Sequence, residues 1–149
     1  MPTDGESRNS EPDGRPVAVD TSVAVAFLDA GHTAHRSCVG ELDGVSAALA
    51  GHAAFESLSI LTRLPGPAQV SPADPMTALR AAFPHDCWLS AEQHSALLET
   101  LGDAGAQGDM VYDALVGEAA RVNERTLLTR VRRAISTYEF LGIAYRLVT

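Results

Sequence analysis

Lysine is absent: none of the 149 residues is a lysine, so all 11 fixed positive charges are arginine guanidinium groups. Guanidinium favours planar, two-pronged contacts to phosphate or carboxylate over the point contacts of an ammonium. Cysteine is scarce. Cys38 and Cys87 lie in no CxxC or other metal-binding spacing, which argues against a cysteine-built metal site and leaves free thiols in a reducing cytoplasm as the expectation, with one disulfide as the alternative. Long apolar runs are missing too; none approaches the roughly 20 residues of a membrane span. Met1 to Pro16 is polar, contains Pro, Gly and Ser, and lacks an apolar centre, so it reads as a disordered tail rather than a signal peptide. The glycines between Gly102 and Gly108 match neither GxGxxG nor a P-loop, which excludes a nucleotide cradle there. No internal repeat is visible.

The charge that is present is unevenly spread. Residues 17–120 hold 13 acids against Arg36, Arg63 and Arg80, whereas residues 121–149 hold six arginines against Glu124 and Glu139, within a net charge of −8. An acidic body is not the footprint of a general nucleic-acid binder. It fits a chain that gathers carboxylates around a cation, with arginines held nearby.

Val17-Ala18-Val19 reads as a short buried strand ending abruptly on Asp20, with Thr21 and Ser22 suited to cap the apolar helix that follows. Further helices are expected from Gly31 to Asp43, from Gly51 to Leu64 until Pro65-Gly66-Pro67, and from a Ser71-Pro72 cap through Phe83. A capping box of Ser90 and Gln93 starts another, through Leu101; two more run over Asp109–Val122 and Ile135–Leu141. Strands are expected at Val45–Leu49, Cys87–Leu89, Thr126–Thr129 and Ile143–Val148. Alternating strands and helices point to one domain over residues 17–149, an α/β/α three-layer sandwich around a short parallel sheet.

In such sheets ligands gather beyond the carboxyl ends of the strands. Asp20 and Thr129 end strands there, and Glu56 and Asp113 lie on helices that leave the same end. Asp113 stands among apolar neighbours, where a charge needs a partner. Mg²⁺ or Mn²⁺ suits an all-carboxylate set and can activate water at a phosphodiester. Arg130, Arg132 and Arg133 are candidates to hold phosphates. His32 and His35 share a helix face but have no acid cluster beside them, and His85-Asp86-Cys87 shows no activating context for a thiol. Phe27, Phe55 and Trp88 lie in apolar runs and read as core.

The order Val19-Asp20-Thr21-Ser22, Phe55-Glu56 in a helix ending Leu61-Thr62-Arg63-Leu64-Pro65, Tyr112-Asp113-Ala114-Leu115-Val116, Leu127-Leu128-Thr129-Arg130 and Tyr138-Glu139-Phe140-Leu141-Gly142 resembles the PIN-domain ribonucleases. Within them it is most similar to the VapC toxins of bacterial toxin–antitoxin pairs. The resemblance covers about residues 17–148. It implies a PIN fold and a cytoplasmic, Mg²⁺- or Mn²⁺-dependent endoribonuclease, usually homodimeric and inhibited by a VapB antitoxin. The family's three acids fall on Asp20, Glu56 and Asp113, and its supporting hydroxyls on Ser22 and Thr129.

One position departs. The family pattern usually continues Thr-Arg-Asp, and this chain has Thr129-Arg130-Val131. Valine cannot coordinate a cation. The site is then weakened or inactive, or rebuilt with Asp109, which shares the helix face of Asp113 four residues on, or silenced by a deliberate substitution. A second reading follows, a catalytically silent PIN fold that binds antitoxin or RNA. A phosphatase with an aspartyl nucleophile fits less well, because the position two residues after Asp20 is Ser22.

Overall fold

Three residues, Val17, Ala18 and Val19, set the framework. They form β1 (Val17–Val19), one of the two inner strands of a four-stranded parallel sheet in the order β2-β1-β3-β4, with β2 at Ala48–Leu49, β3 at Thr126–Thr129 and β4 at Tyr145–Leu147. The computed structural model describes residues 15–64 and 74–149. Val19 lies opposite Leu49 on one side and Leu128 on the other, and Thr129 lies opposite Leu147.

Because strand side chains alternate faces, Val17, Val19 and Leu128 enter one core and Ala18 and Leu127 the other. On the valine face pack α1 (Thr21–Leu28), α2 (His35–Leu42), the end of α3 (Ala53–Leu61) and α4 (Pro75–Ala82), through Val23, Cys38, Leu42, Leu61 and Leu79. On the opposite face lie α5 (Ala91–Asp103), α6 (Asp109–Val122) and α7 (Ile135–Leu141), through Leu97, Leu101, Val116, Ala119 and Tyr138. Both faces are thus covered, giving the expected three-layer PIN-like sandwich. Among the described residues no helix is long and apolar enough to cross a membrane.

Several sequence expectations hold residue for residue: β3, α6 and α7 have the expected limits, and the Ser90–Gln93 capping box is formed. Others need correction. The cap of α1 is Asp20, not the hydroxyls after it; its carboxylate accepts from the Val23 amide, the role an Asp fills well at an N-cap. Helix α2 begins only at His35, α3 ends at Leu61, and β2 and β4 are shorter than their apolar runs. Cys87–Leu89 forms no strand: the Cys87 carbonyl accepts from the Gly51 amide (2.8 Å) and the Trp88 carbonyl from Asn123 Nδ2 (3.1 Å), so those acceptors serve a turn and a helix end. His85 alone bridges to Ala48 there. Between Val131 and α7, Arg132–Ala134 makes a 3₁₀ turn. Residues 1–14 of the expected tail, Pro65-Gly66-Pro67 and the Ser71-Pro72 cap lie outside the described residues; α4 itself starts at Pro75, capped by Asp74.

The contact between α6 and α7 depends on Gly117. A Cβ there would stand 2.5 Å from Ile143 Cδ1 and 3.0 Å from Tyr138 Cδ1. The Ile143 methyl can swing away; the buried Tyr138 ring cannot. Gly117→Val is expected to cost about 2–3 kcal/mol by overpacking, seen as a thermal midpoint lowered by about 5–10 °C. An unchanged midpoint would show that this contact is loose.

Candidate active site

The chain leaves β1 toward β2 and later returns to place β3 on the other flank of β1. The gap between the carboxyl ends of β1 and β3 is therefore a point where strand order reverses, the place where open α/β sheets form their crevices. A cleft of about 180 Å³ opens there, walled by Asp20, Glu56, Asp109, Asp113, Val131 and Arg133. Thr21, Ser22, Tyr112, Val116 and Tyr138 complete its lining.

Asp20 is the most constrained member. It is 5% exposed, and three donors converge on its carboxylate: Ser22 Oγ (2.6 Å) and the Val23 amide (3.1 Å) on Oδ1, and Thr129 Oγ1 (2.5 Å) on Oδ2. Both hydroxyls are themselves aimed. Ser22 Oγ accepts from the Arg130 amide (2.9 Å) and Thr129 Oγ1 from the Val131 amide (3.1 Å), which leaves each proton free to point at Asp20. Burial pushes the Asp20 carboxyl above its ordinary range, and the hydrogen bonds from Ser22, Thr129 and the backbone pull it back.

Asp113 enters from the first half of α6. Burial raises its carboxyl as well, countered by Arg133, whose Nη1 donates to Oδ2 at 2.5 Å. The other arm of Arg133 lies 3.9 Å from Asp109 Oδ2. Glu56 enters from α3; Thr21 Oγ1 donates to Oε2 at 3.4 Å, and His52 Nε2 lies 3.4 Å from Oε1. Tyr138 closes the floor, its phenol pushed up by burial and by the nearby carboxylates of Asp20 and Asp113.

All three carboxylates expected from sequence, with Ser22 and Asp109, thus meet around one cleft, and Thr129 anchors Asp20 from behind. The arginines divide. Arg133 lines the cleft but is engaged with Asp113, whereas Arg130 and Arg132 do not line it. Tyr138, Tyr112 and His52, which lies beside Glu56, were not foreseen as site residues; the adjacency of Tyr112 to Asp113 and the four-residue helical step from His52 to Glu56 were the available signals.

Among the described residues no three His, Cys, Asp or Glu side chains converge to ligating distance. The cleft nevertheless presents only hard oxygen donors, and Asp20 uses three of the roughly four acceptor directions of a carboxylate. That donor chemistry fits Mg²⁺ or Mn²⁺ and not a thiolate- or imidazole-seeking metal. His32 and His35 lie elsewhere: His32 Nδ1 accepts from the Ala34 amide two residues on, and His35 Nδ1 contacts the Ala26 carbonyl of α1. Cys87 is buried, its thiol pushed up to about 11 by desolvation, which makes it a poor nucleophile; Cys38 is likewise buried and free.

No family model matches the chain. Curated relatives do. It is 41% identical to Ribonuclease VapC27 of Mycobacterium tuberculosis over 128 residues, covering 86% of this chain and 93% of that protein. It is 38% identical to Ribonuclease VapC40, found in two strains of the same organism, over 136 residues, covering 89% of this chain and 99% of the relative. Identity at that level across nearly the full length of each relative, joined to an acid-lined cleft at the switch point of a PIN-like sheet, places the chain in the family of VapC-type PIN-domain ribonucleases.

Proposed function

We propose that this chain is a toxin endoribonuclease that hydrolyses RNA phosphodiester bonds with Mg²⁺ or Mn²⁺, acts in the cytoplasm as a homodimer, and is neutralised by a VapB-type antitoxin. One observation carries the reading: Asp20, Glu56 and Asp113, far apart in the chain, line one cleft with Asp109. Asp20, Asp113 and Glu56 would hold the cation. A cation held there would supply activation of water and charge compensation at the phosphodiester.

The chain's own residues supply the rest. Ser22 and Thr129 fix the Asp20 carboxylate in place and favour its ionised form. Arg133 does the same for Asp113. Thr21 and His52 steady Glu56 from two sides. Arg130 and Arg132, in the strand-end turn beside the cleft, are the groups to receive RNA phosphates.

The test compares Mn²⁺ binding by calorimetry and RNA cleavage in this chain and in Asp113→Asn. Cleavage is expected to vanish in EDTA and return with Mn²⁺, and the variant to bind Mn²⁺ at least about tenfold more weakly. Cleavage that persists in EDTA would end the metal assignment.

A second reading is favoured by Val131 in the cleft wall and by Arg133 seated on Asp113: a catalytically silent PIN fold that binds antitoxin or RNA without cutting. Any metal-dependent cleavage by the chain as it stands excludes it.

A further inference from the structure

Phe55 and Trp88, expected in the core, are left outside by the fold, 65% and 48% exposed, and Tyr112 joins them at 54%. They are not scattered. The Tyr112 ring stacks on His52 at 5.3 Å between centroids and 27° between planes; His52 lies 6.5 Å from Phe55; and Phe55 meets Trp88 edge-on at 5.9 Å. The row begins at the catalytic cleft, since Tyr112 lines it and His52 touches Glu56. It ends at a hollow of about 240 Å³ between Phe55, Trp88, Leu89 and Leu115.

The row stands on rigid supports. Asn123 Nδ2, at the end of α6, donates to the Trp88 carbonyl (3.1 Å) and to the Ala119 carbonyl (2.7 Å). Gly51, at φ +49° and with the space of its missing Cβ filled by Ala119, starts the turn into α3 that carries His52 and Phe55. The rings are therefore presented, not left over from a loose surface.

We propose that Tyr112, His52, Phe55 and Trp88 form a platform on which unpaired bases of a single-stranded RNA stack as the strand approaches the carboxylate cleft, a reading that rests on the nuclease assignment above. Continuity with the cleft supports this occupant, since Tyr112 lines it and His52 lies against Glu56. Among the described residues the arginine that lines the cleft, Arg133, is paired with Asp113, so phosphates fall to Arg130 and Arg132 beside it and the rings are left to meet the bases. Base faces are uncharged, and stacking on aromatic rings holds any base without a basic groove. Area argues against a second copy or another protein: three partly exposed rings of roughly 150–250 Å² each offer on the order of 300–400 Å², under half of the about 800 Å² per partner of a stable protein interface.

Trp88 is the only tryptophan, so its emission reports on this surface alone. The experiment titrates the full chain in EDTA with a short single-stranded RNA, its duplex, and an abasic oligonucleotide of equal charge. Saturable quenching by the single strand alone is expected, with Phe55→Leu weakening it roughly tenfold. No response, an equal response to the abasic oligonucleotide, or an unchanged Phe55→Leu affinity overturns the platform, as does sedimentation showing that Phe55→Leu splits a dimer. Cleavage in Mn²⁺ is measured in parallel. A chain that cuts RNA with a silent Trp88 loses the platform and keeps the nuclease; a chain that responds at Trp88 without cutting loses the nuclease and keeps the platform as a binding surface.

Discussion

Asp20→Asn is expected to leave the protein folded and to lower RNA cleavage by about a thousandfold or more. The amide matches the carboxylate in shape, and Asn caps helix N-termini about as well as Asp, so α1 keeps its start. One acceptor is exchanged for a donor. Ser22 or Thr129 can meet it, because each hydroxyl accepts one backbone amide and has a second lone pair to offer. What disappears is a negative charge that burial disfavours, for Asp20 is 5% exposed. The thermal midpoint should then be unchanged or higher, the usual relation at a site where function is kept against stability. Activity moves the other way. Cation-assisted stabilisation of a phosphodiester transition state contributes several kcal/mol, and at about 1.4 kcal/mol per factor of ten its loss spans about three orders of magnitude. The measurement is cleavage in Mn²⁺ beside thermal unfolding on the same preparation. A variant that is stable and still active would remove Asp20 from the chemistry; one that unfolds would make its three-donor corner a structural feature first.

That corner was half legible from sequence. A β-branched run broken by an acid placed Asp20 at a strand end, and the α/β alternation placed strand ends at the ligand side. The helix rhythm of Asp109–Val122 put Asp113 beside Asp109, and the apolar Thr126–Thr129 run put Thr129 next to Asp20; both elements have the expected limits. Local periodicity failed where long-range bonds decide. Nothing near Arg133 announces that its guanidinium reaches Asp113, twenty residues away. Cys87–Leu89 has the composition of a strand, yet its carbonyls go to Gly51 and Asn123. Phe55 and Trp88 were placed in the core because their neighbours are apolar. A short helix with apolar residues on most of its sides, such as α3, gives no periodic signal of which one is left outside, and the tertiary structure puts Phe55 there.

Val131→Asp tests the position at which the sequence resemblance leads to the expectation of an Asp, and it is expected to raise Mn²⁺ affinity by about tenfold to a hundredfold. The backbone is ready for the change. Val131 is half-buried in the cleft wall, extended at φ −96° and ψ 95°, and heads the 3₁₀ turn Arg132–Ala134. That is an N-cap position, where Asp is preferred over Val, so the fold should not suffer. A unit charge within about 4 Å of a cation interacts by roughly 4 kcal/mol per cation charge at an effective dielectric of about 20. Desolvation and competition from Arg133, which would have a third carboxylate to choose from beside Asp113 and Asp109, reduce that to the one or two factors of ten expected. The same variant also tests whether Asp109 serves the cation. If Asp109 serves, Asp109→Asn weakens Mn²⁺ binding in the parent chain, and Val131→Asp restores it in the double variant. If Asp109 only holds Arg133, its loss leaves Mn²⁺ affinity unchanged and the gain from Val131→Asp is the same with or without it. An affinity that Val131→Asp fails to raise would place the cation away from this wall of the cleft, toward Glu56 and Thr21 on the opposite side.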